Sequence, residues 1–393
     1  MAHVVGAGLT RPGKHRVRAF ELMQVALEKA LADSRLSLFQ VNGLIAIPSL
    51  AEPRFMEAHF LATQIGLLPD RHKYIKTIDT GGAGPVSGLI EAVRLIQHGL
   101  SDVVAVVAGD AVSSMTTEKF LERADQGCQD SQGSIPSPVI PHGYDRIARW
   151  QMETYGLSRE QLAMCSVLMS AQACKHPLAL TKHAHSLEEV LSQPLVAPVT
   201  GRLECARRAD GGAAVILASE DFVKSQGYKR ECPKVVGAGE ASGPLFPPRV
   251  IDETMFSCEE ATQTAFSKAK LSSSDIDFFG LYDCFPICLI RAIEAVGLAG
   301  KGEGGKWIEE RHAEYLATGS IDLKSFPINT HGGLLAFGAP WEVPAMYNVI
   351  EAVTQLRHEA FNRQIPNCSR ALVYGNGGIF SASSVAILSR SDS

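Results

Sequence analysis

Short apolar runs alternate along this chain with segments whose apolar residues recur every three to four positions. That is the pattern of strands alternating with amphipathic helices. Val4-Val5-Gly6-Ala7-Gly8 reads as a first strand, and the spacing of Leu22, Val25, Ala26, Lys29 and Ala30 predicts a helix over 22–34. Leu36 and a polar turn then lead to a strand over 41–47. The same order returns later. Val235-Val236-Gly237-Ala238-Gly239 is followed by a predicted helix over 258–270, Leu271, Ser272-Ser273-Ser274 and a strand over 276–282. Ala26, Ala30, Leu36 and Val41 match Ala261, Ala265, Leu271 and Ile276 at one constant offset. Ile90-Glu91-Ala92-Val93 recurs as Ile350-Glu351-Ala352-Val353, each in a predicted helix that leads to an apolar strand, over 103–108 and 371–374.

Matching repeats in matching order indicate a duplicated unit. Strand–helix alternation implies parallel βαβ units with right-handed crossovers, and each sheet needs helices on both faces. Two such halves are most economically packed back to back with shared helices between two sheets. The first half carries a long insertion, rich in His, Gln and Ser, with a predicted helix over 159–175. After it, Asp210-Gly211-Gly212 leads into a strand over 213–218. The expected organisation is α/β: residues 1–112 with 209–230 as one half, 113–208 as an inserted loop domain, and 231–393 as the other half.

Composition narrows the function classes. The 393 residues are 46% hydrophobic and 20% charged, with a formal net charge of −5. This is an ordinary globular composition for two domains, without the basic face that nucleic-acid binding needs. No apolar run approaches the roughly 20 residues of a membrane helix. The nine Cys, an odd number, show no C-x-x-C zinc spacing and read as reduced thiols. Cys284 and Cys288 can share a helix face, but two thiols do not make a metal site, so no metal is expected. Arg11, Lys14, Arg16 and Arg18 with no acid before Glu21 resemble a weak mitochondrial presequence. Locally, a first strand accounts better for residues 4–8. The expected location is mitochondrial, with the cytoplasm as the alternative. The closing Ser391-Asp392-Ser393 is not an S-K-L address.

Several motifs carry a family resemblance over essentially the whole chain. Tyr155-Gly156-Leu157-Ser158-Arg159-Glu160-Gln161-Leu162 resembles the helix start Y-G-x-(S/T)-R-E-Q-L of the sterol-carrier-protein class of thiolases. Ala209 to Ala214 resembles its S-D-G-A-A-A run, Asn329 to Leu335 its N-x-x-G-G-L run, and Gly375-Asn376-Gly377-Gly378 its closing glycine turn. Tyr282-Asp283-Cys284-Phe285 stands where that class reads H-D-C-F; the tyrosine form resembles trypanosomatid thiolase-like proteins. The resemblance implies the thiolase fold: duplicated βαβαβαββ halves in a five-layer α-β-α-β-α sandwich with an inserted loop domain. It also implies a homodimer and coenzyme A thioesters as substrates, with no other cofactor.

The departures bear on chemistry. A thiolase carries its nucleophilic Cys at the start of the helix after the third strand, where the helix dipole stabilises a thiolate. Alignment on Arg94-Leu95-Ile96 puts Gly82 there. Ala339 replaces the His of G-H-P, and Tyr282 the His of H-D-C-F. Glycine has no nucleophile, so a covalent acyl-enzyme at position 82 is excluded. Main-chain N–H groups remain available as oxyanion donors. The expected binding set is therefore Gly82, Ala83, Asn329, Gly375 and Gly377, with the amides of Gly82 and Gly375 converging on a thioester oxygen. The expected catalytic set is Cys284 as acid or base, Tyr282 as a donor, His331 and Asp283. Packing is the alternative for Tyr282, a structural loop histidine for His331, and turn acceptance for Asp283. Lys175, His176, Lys182, His183 and Arg202 are candidates for the coenzyme A phosphates, or simply a solvated face.

Loss of carbon dioxide from malonyl-coenzyme A fits such a pocket, since it makes a thioester enolate without a nucleophile. Cleavage of acetoacetyl-coenzyme A fits less well, because it needs added water. The alternative is a non-catalytic acyl-coenzyme A binding or scaffold protein. An aldolase-type relative acting with a partner chain would carry a tyrosine after Gly332-Gly333. Here that loop reads Leu334-Leu335-Ala336-Phe337-Gly338.

Overall fold

A computed structural model describes residues 1–71 and 73–391; the last two residues of the C-terminal tripeptide lie outside them. The first half runs β1 (Ala2–Leu9), α1 (Ala19–Ser34), β2 (Gly43–Ala46), α2 (Glu57–Gln64), β3 (Tyr74–Thr77), α3 (Gly84–Gln97) and β4 (Val103–Ala111). The insertion holds α4 (Thr117–Cys128), α5 (Val139–Tyr155), α6 (Arg159–Ala173), α7 (Leu187–Leu191) and a small hairpin, β5 (Leu195–Ala197) with β6 (Thr200–Gly201). The half closes with β7 (Asp210–Ser219), and α8 (Glu220–Gln226) leads to the second half. There follow β8 (Lys234–Ser242), α9 (Cys258–Ala269), β9 (Phe278–Leu281), α10 (Pro286–Ala295), α11 (Gly304–Thr318), α12 (Gly333–Ala336), α13 (Pro344–Leu356), β10 (Arg370–Gly377) and β11 (Ala382–Ser389).

The duplication is visible in the sheet order, β3-β2-β4-β7-β1 for the first half and β8-β11-β10-β9 for the second. The two meet at β1 and β8 through the single pair His3–Lys234, so the strands form one continuous nine-stranded sheet. The last strand of each half is antiparallel to its neighbours. α1 covers one outer face and α9 the other, while α3 and α13 pack together between the two halves and touch strands of both. This is the thiolase fold.

The repeated G-A-G has a packing cause. A Cβ on Gly8 would meet Ala26 O at 2.5 Å, and one on Gly239 would meet Ala261 O at 2.0 Å. Each first strand therefore lies directly against its helix, which turns alanines (Ala26 and Ala30, Ala261 and Ala265) toward it. Only glycine facing alanine permits that approach.

The structure corrects the expected symmetry. The second half has no full third strand: its counterpart of β3 is a one-residue bridge, Phe279–Ile328. In its place the Asn329 side chain pairs with the main chain of Leu281, accepting from its N–H and donating to its C=O, both at 2.8 Å. The insertion also contains three helices besides the one predicted. Among the described residues no helix is long and apolar enough to cross a membrane.

Candidate active site

The expected nucleophile position, the Y-D-C-F segment and the glycine turn come together at one cavity of about 640 Å³. Three chain reversals build its floor. Thr80, Gly81 and Gly82 lead into α3, Tyr282, Cys284 and Phe285 lead into α10, and Asn376 and Gly377 end β10, with Gly378 following it. Leu50, Val112, Phe120, Leu121 and Ala124 add an apolar wall, and Arg208, Trp341 and Glu342 a polar one.

Gly82 and Tyr282 are in direct contact. A Cβ on Gly82 would lie 2.1 Å from Tyr282 Oη and 2.5 Å from the Asn376 carbonyl oxygen. The phenol thus fills the space a cysteine side chain would take. Burial pushes the Tyr282 phenol well above its usual range, with the neighbouring thiols and Glu342 adding to it, so the hydroxyl keeps its proton. The Ala83 and Gly84 amides are used within the turn, by Thr80 O at 3.3 Å and Gly81 O at 2.8 Å; none of the turn's main-chain bonds uses the Gly82 amide. At the cavity floor, then, a main-chain N–H and a phenolic O–H are neighbours.

Cys284 is half-buried at the cavity wall, with its Sγ 3.4 Å from that of Cys288. Behind it, Tyr144 stacks on Phe285 with ring centroids 4.8 Å apart and receives a hydrogen bond from Asn376 Nδ2 at 2.7 Å. Its own hydroxyl donates to Gly378 O, which fixes the glycine turn. Arg208 lays its guanidinium over Phe120, 4.7 Å from the ring centroid, and Phe120 meets Trp341 edge to face at 5.7 Å.

Gly82, Tyr282, Cys284 and Gly377 line the cavity; Asp283, Ala83, Asn329, His331 and Gly375 do not. Asp283 is fully buried and accepts the Leu334 and Leu335 amides, at 2.7 and 3.4 Å, at the start of α12. A Cβ on Gly333 would meet its Oδ2 at 2.1 Å, which gives the second glycine of the G-G pair its reason. Burial raises the Asp283 carboxyl to about 7 despite those two amides. His331 is buried against Phe337, 5.1 Å between rings, and burial lowers it to about 4. A Cβ on Gly375 would lie 3.0 Å from Ala83 Cα, and Gly375 packs against the start of α3 instead of lining the cavity. β10 continues past Gly375 to Gly377, which lines the cavity and lies against Thr80 and Gly81. Lys175, His176, Lys182, His183 and Arg202 lie outside the cavity lining. Arg208, Glu342 and Tyr144 were not singled out from the sequence, since no local spacing marks them, and Asn376 was read only as part of the glycine turn.

A duplicated α/β chain with its site where three chain reversals meet, two of them glycine-bearing, defines a thiolase-type protein. The family model described as "Thiolase C-terminal domain-like" matches residues 249–390. The chain is 32% identical to acetyl-CoA acetyltransferase of Methanothermobacter thermautotrophicus, over 98% of this chain and 99% of that one. It is 26% identical to sterol carrier protein 2 of Bos taurus, over 95% of this chain and 69% of the relative. Among solved structures, the Ltp2-ChsH2(DUF35) aldolase superposes with a TM-score of 0.84 at 22% identity, over 100% of this chain and 98% of that one. The chain belongs to the thiolase family.

Proposed function

We propose that this chain binds coenzyme A thioesters and stabilises a thioester enolate without forming an acyl-enzyme, with malonyl-coenzyme A decarboxylation as the reaction that fits best. The contact between Gly82 and Tyr282 carries this reading. Where a thiolase of this class would place its nucleophile, this chain offers an N–H and an O–H instead. The acetyltransferase name of the 32% identical relative supports a coenzyme A thioester as ligand. In the reaction, the bond between the α-carbon and the carboxylate breaks and carbon dioxide leaves. The electron pair moves into the enolate, whose oxygen is held by the Gly82 amide and the Tyr282 hydroxyl. The α-carbon then takes a proton from an acid on the wall, Cys284. The test is carbon dioxide release from malonyl-coenzyme A by the purified chain, with Cys284→Ala as control. Release above the uncatalysed rate that falls in Cys284→Ala supports the reading; release at the uncatalysed rate leaves acyl-coenzyme A binding without turnover.

A further inference from the structure

Glu342 has no part in that reaction, yet its setting is unusual. It follows Trp341, whose φ of 48° places a bulky side chain in the left-handed region. Such backbone persists only where surrounding contacts hold it, and it recurs at active sites. Here the edge-to-face contact with Phe120 holds the indole, and the strained turn directs the next side chain to the cavity wall. One carboxyl oxygen, Oε2, is buried with no hydrogen-bond partner, 3.7 Å from where a Cβ on Gly84 would stand. Buried polar atoms without a partner are rare in native proteins, and each calls for a reason. The carboxyl thus sits beside the first turn of α3, close to the Gly82–Tyr282 pair.

We propose that Glu342 is an acid–base residue that exchanges the α-proton of a bound acyl thioester, giving the site a second activity on thioesters that have no carboxylate to lose. This rests on the reading that the cavity stabilises a thioester enolate. In the step, the α-carbon–hydrogen bond breaks and the proton passes to the Glu342 carboxylate. The electron pair moves into the enolate, with its oxygen on the Gly82 amide and the Tyr282 hydroxyl. In the return step the Glu342 carboxyl, re-equilibrated with solvent, delivers a proton to the same carbon. No oxidant or further reactant is required.

The electrostatic setting suits the role. Burial raises the Glu342 carboxyl well above its ordinary value, Asp79 and Asp110 raise it further, and the Trp341 side chain pulls the other way. Tyr282 and Cys128 are the other titratable groups that sense its charge. Arg208, on the same cavity wall, stacks on Phe120. A carboxylate with a raised pKa is a stronger base than an ordinary one. Exchange should rise with pH as the group ionises.

The experiment follows deuterium uptake into the α-position of propionyl-coenzyme A in D2O by mass spectrometry, alongside carbon dioxide release from malonyl-coenzyme A. The wild type should exchange. Glu342→Gln should exchange about 100-fold more slowly while keeping the wild-type thermal midpoint and affinity for coenzyme A. Glu342→Asp should retain part of the rate. Equal exchange by Glu342→Gln and wild type overturns the assignment. Carbon dioxide release by the wild type without any exchange overturns it too, and leaves the decarboxylation reading standing. Exchange without carbon dioxide release keeps the assignment and removes malonyl-coenzyme A as the substrate.

Discussion

The Tyr282 hydroxyl stands where the side chain of residue 82 would begin, 2.1 Å from a Cβ built on Gly82. The two residues are complementary in size, so position 82 cannot take the sterol-carrier-type cysteine while Tyr282 stays in place. Gly82→Cys alone should therefore destabilise the chain by about 1–3 kcal/mol, as overpacking does, and yield no thiolase activity. Adding Tyr282→His should recover only part of the loss, because the Asn376 carbonyl, 2.5 Å from the same Cβ, stays in place. Thermal unfolding of the two single variants and the double variant gives the coupling. Strict additivity would show that the contact is not formed.

Tyr282→Phe separates packing from chemistry. The ring stays and only a hydroxyl facing the cavity is lost, so stability should change by less than about 1 kcal/mol. Carbon dioxide release should fall about 100-fold, the usual consequence of removing one oxyanion donor. Equal rates for Tyr282→Phe and wild type would assign Tyr282 to packing.

Asp283 and His331 should impose opposite pH dependences on stability. The Asp283 carboxyl is raised to about 7 in the folded chain, against about 3.9 unfolded. Its contribution is present below about pH 4 and is lost as pH rises through about 7. Relative to Asp283→Asn, the wild type should lose up to about 4 kcal/mol across that window. His331 is lowered to about 4, against about 6.5 unfolded. Its contribution is present above about pH 6.5 and is lost as pH falls toward 4. Relative to His331→Asn, the wild type should therefore weaken on acidification. Denaturant unfolding across pH 4–8 checks both signs.

Arg208 lines the cavity with its guanidinium on Phe120. It is suited to an anionic part of the ligand. Arg208→Ala should weaken coenzyme A thioester binding about tenfold, or 1.4 kcal/mol, with a smaller effect at high salt, as titration calorimetry would show. Unchanged affinity would place the anionic groups elsewhere.

Much of the fold was legible because the duplicated unit marks itself locally. Gly6, Gly8, Gly237 and Gly239 are fixed by backbone contact with Ala30, Ala26, Ala265 and Ala261, so the same glycine–alanine contacts recur in both halves. The lost third strand of the second half was not legible, because a side chain, Asn329, takes over strand pairing there. The site was legible where a turn carries its own signature, at Gly82, Tyr282, Cys284 and Gly377. Gly375 and Ala83 share those motifs but pack against helix or strand, a distinction of one or two residues along an element, and Asn329, in its own N-x-x-G-G-L run, pairs with Leu281. Asp283 and His331 carry titratable groups of catalytic type, yet Asp283 anchors the α12 loop and His331 packs on Phe337. Arg208 and Glu342 reach the cavity from loops far apart in sequence and have no pattern of their own.

The proposed chemistry requires a pocket that polarises a thioester it cannot attack. The most direct measurement follows malonyl-coenzyme A turnover while recording the intact mass of the chain. Acetyl-coenzyme A and carbon dioxide are the expected products, with the chain unmodified throughout. An acetyl-sized mass gain on any residue during turnover would contradict it.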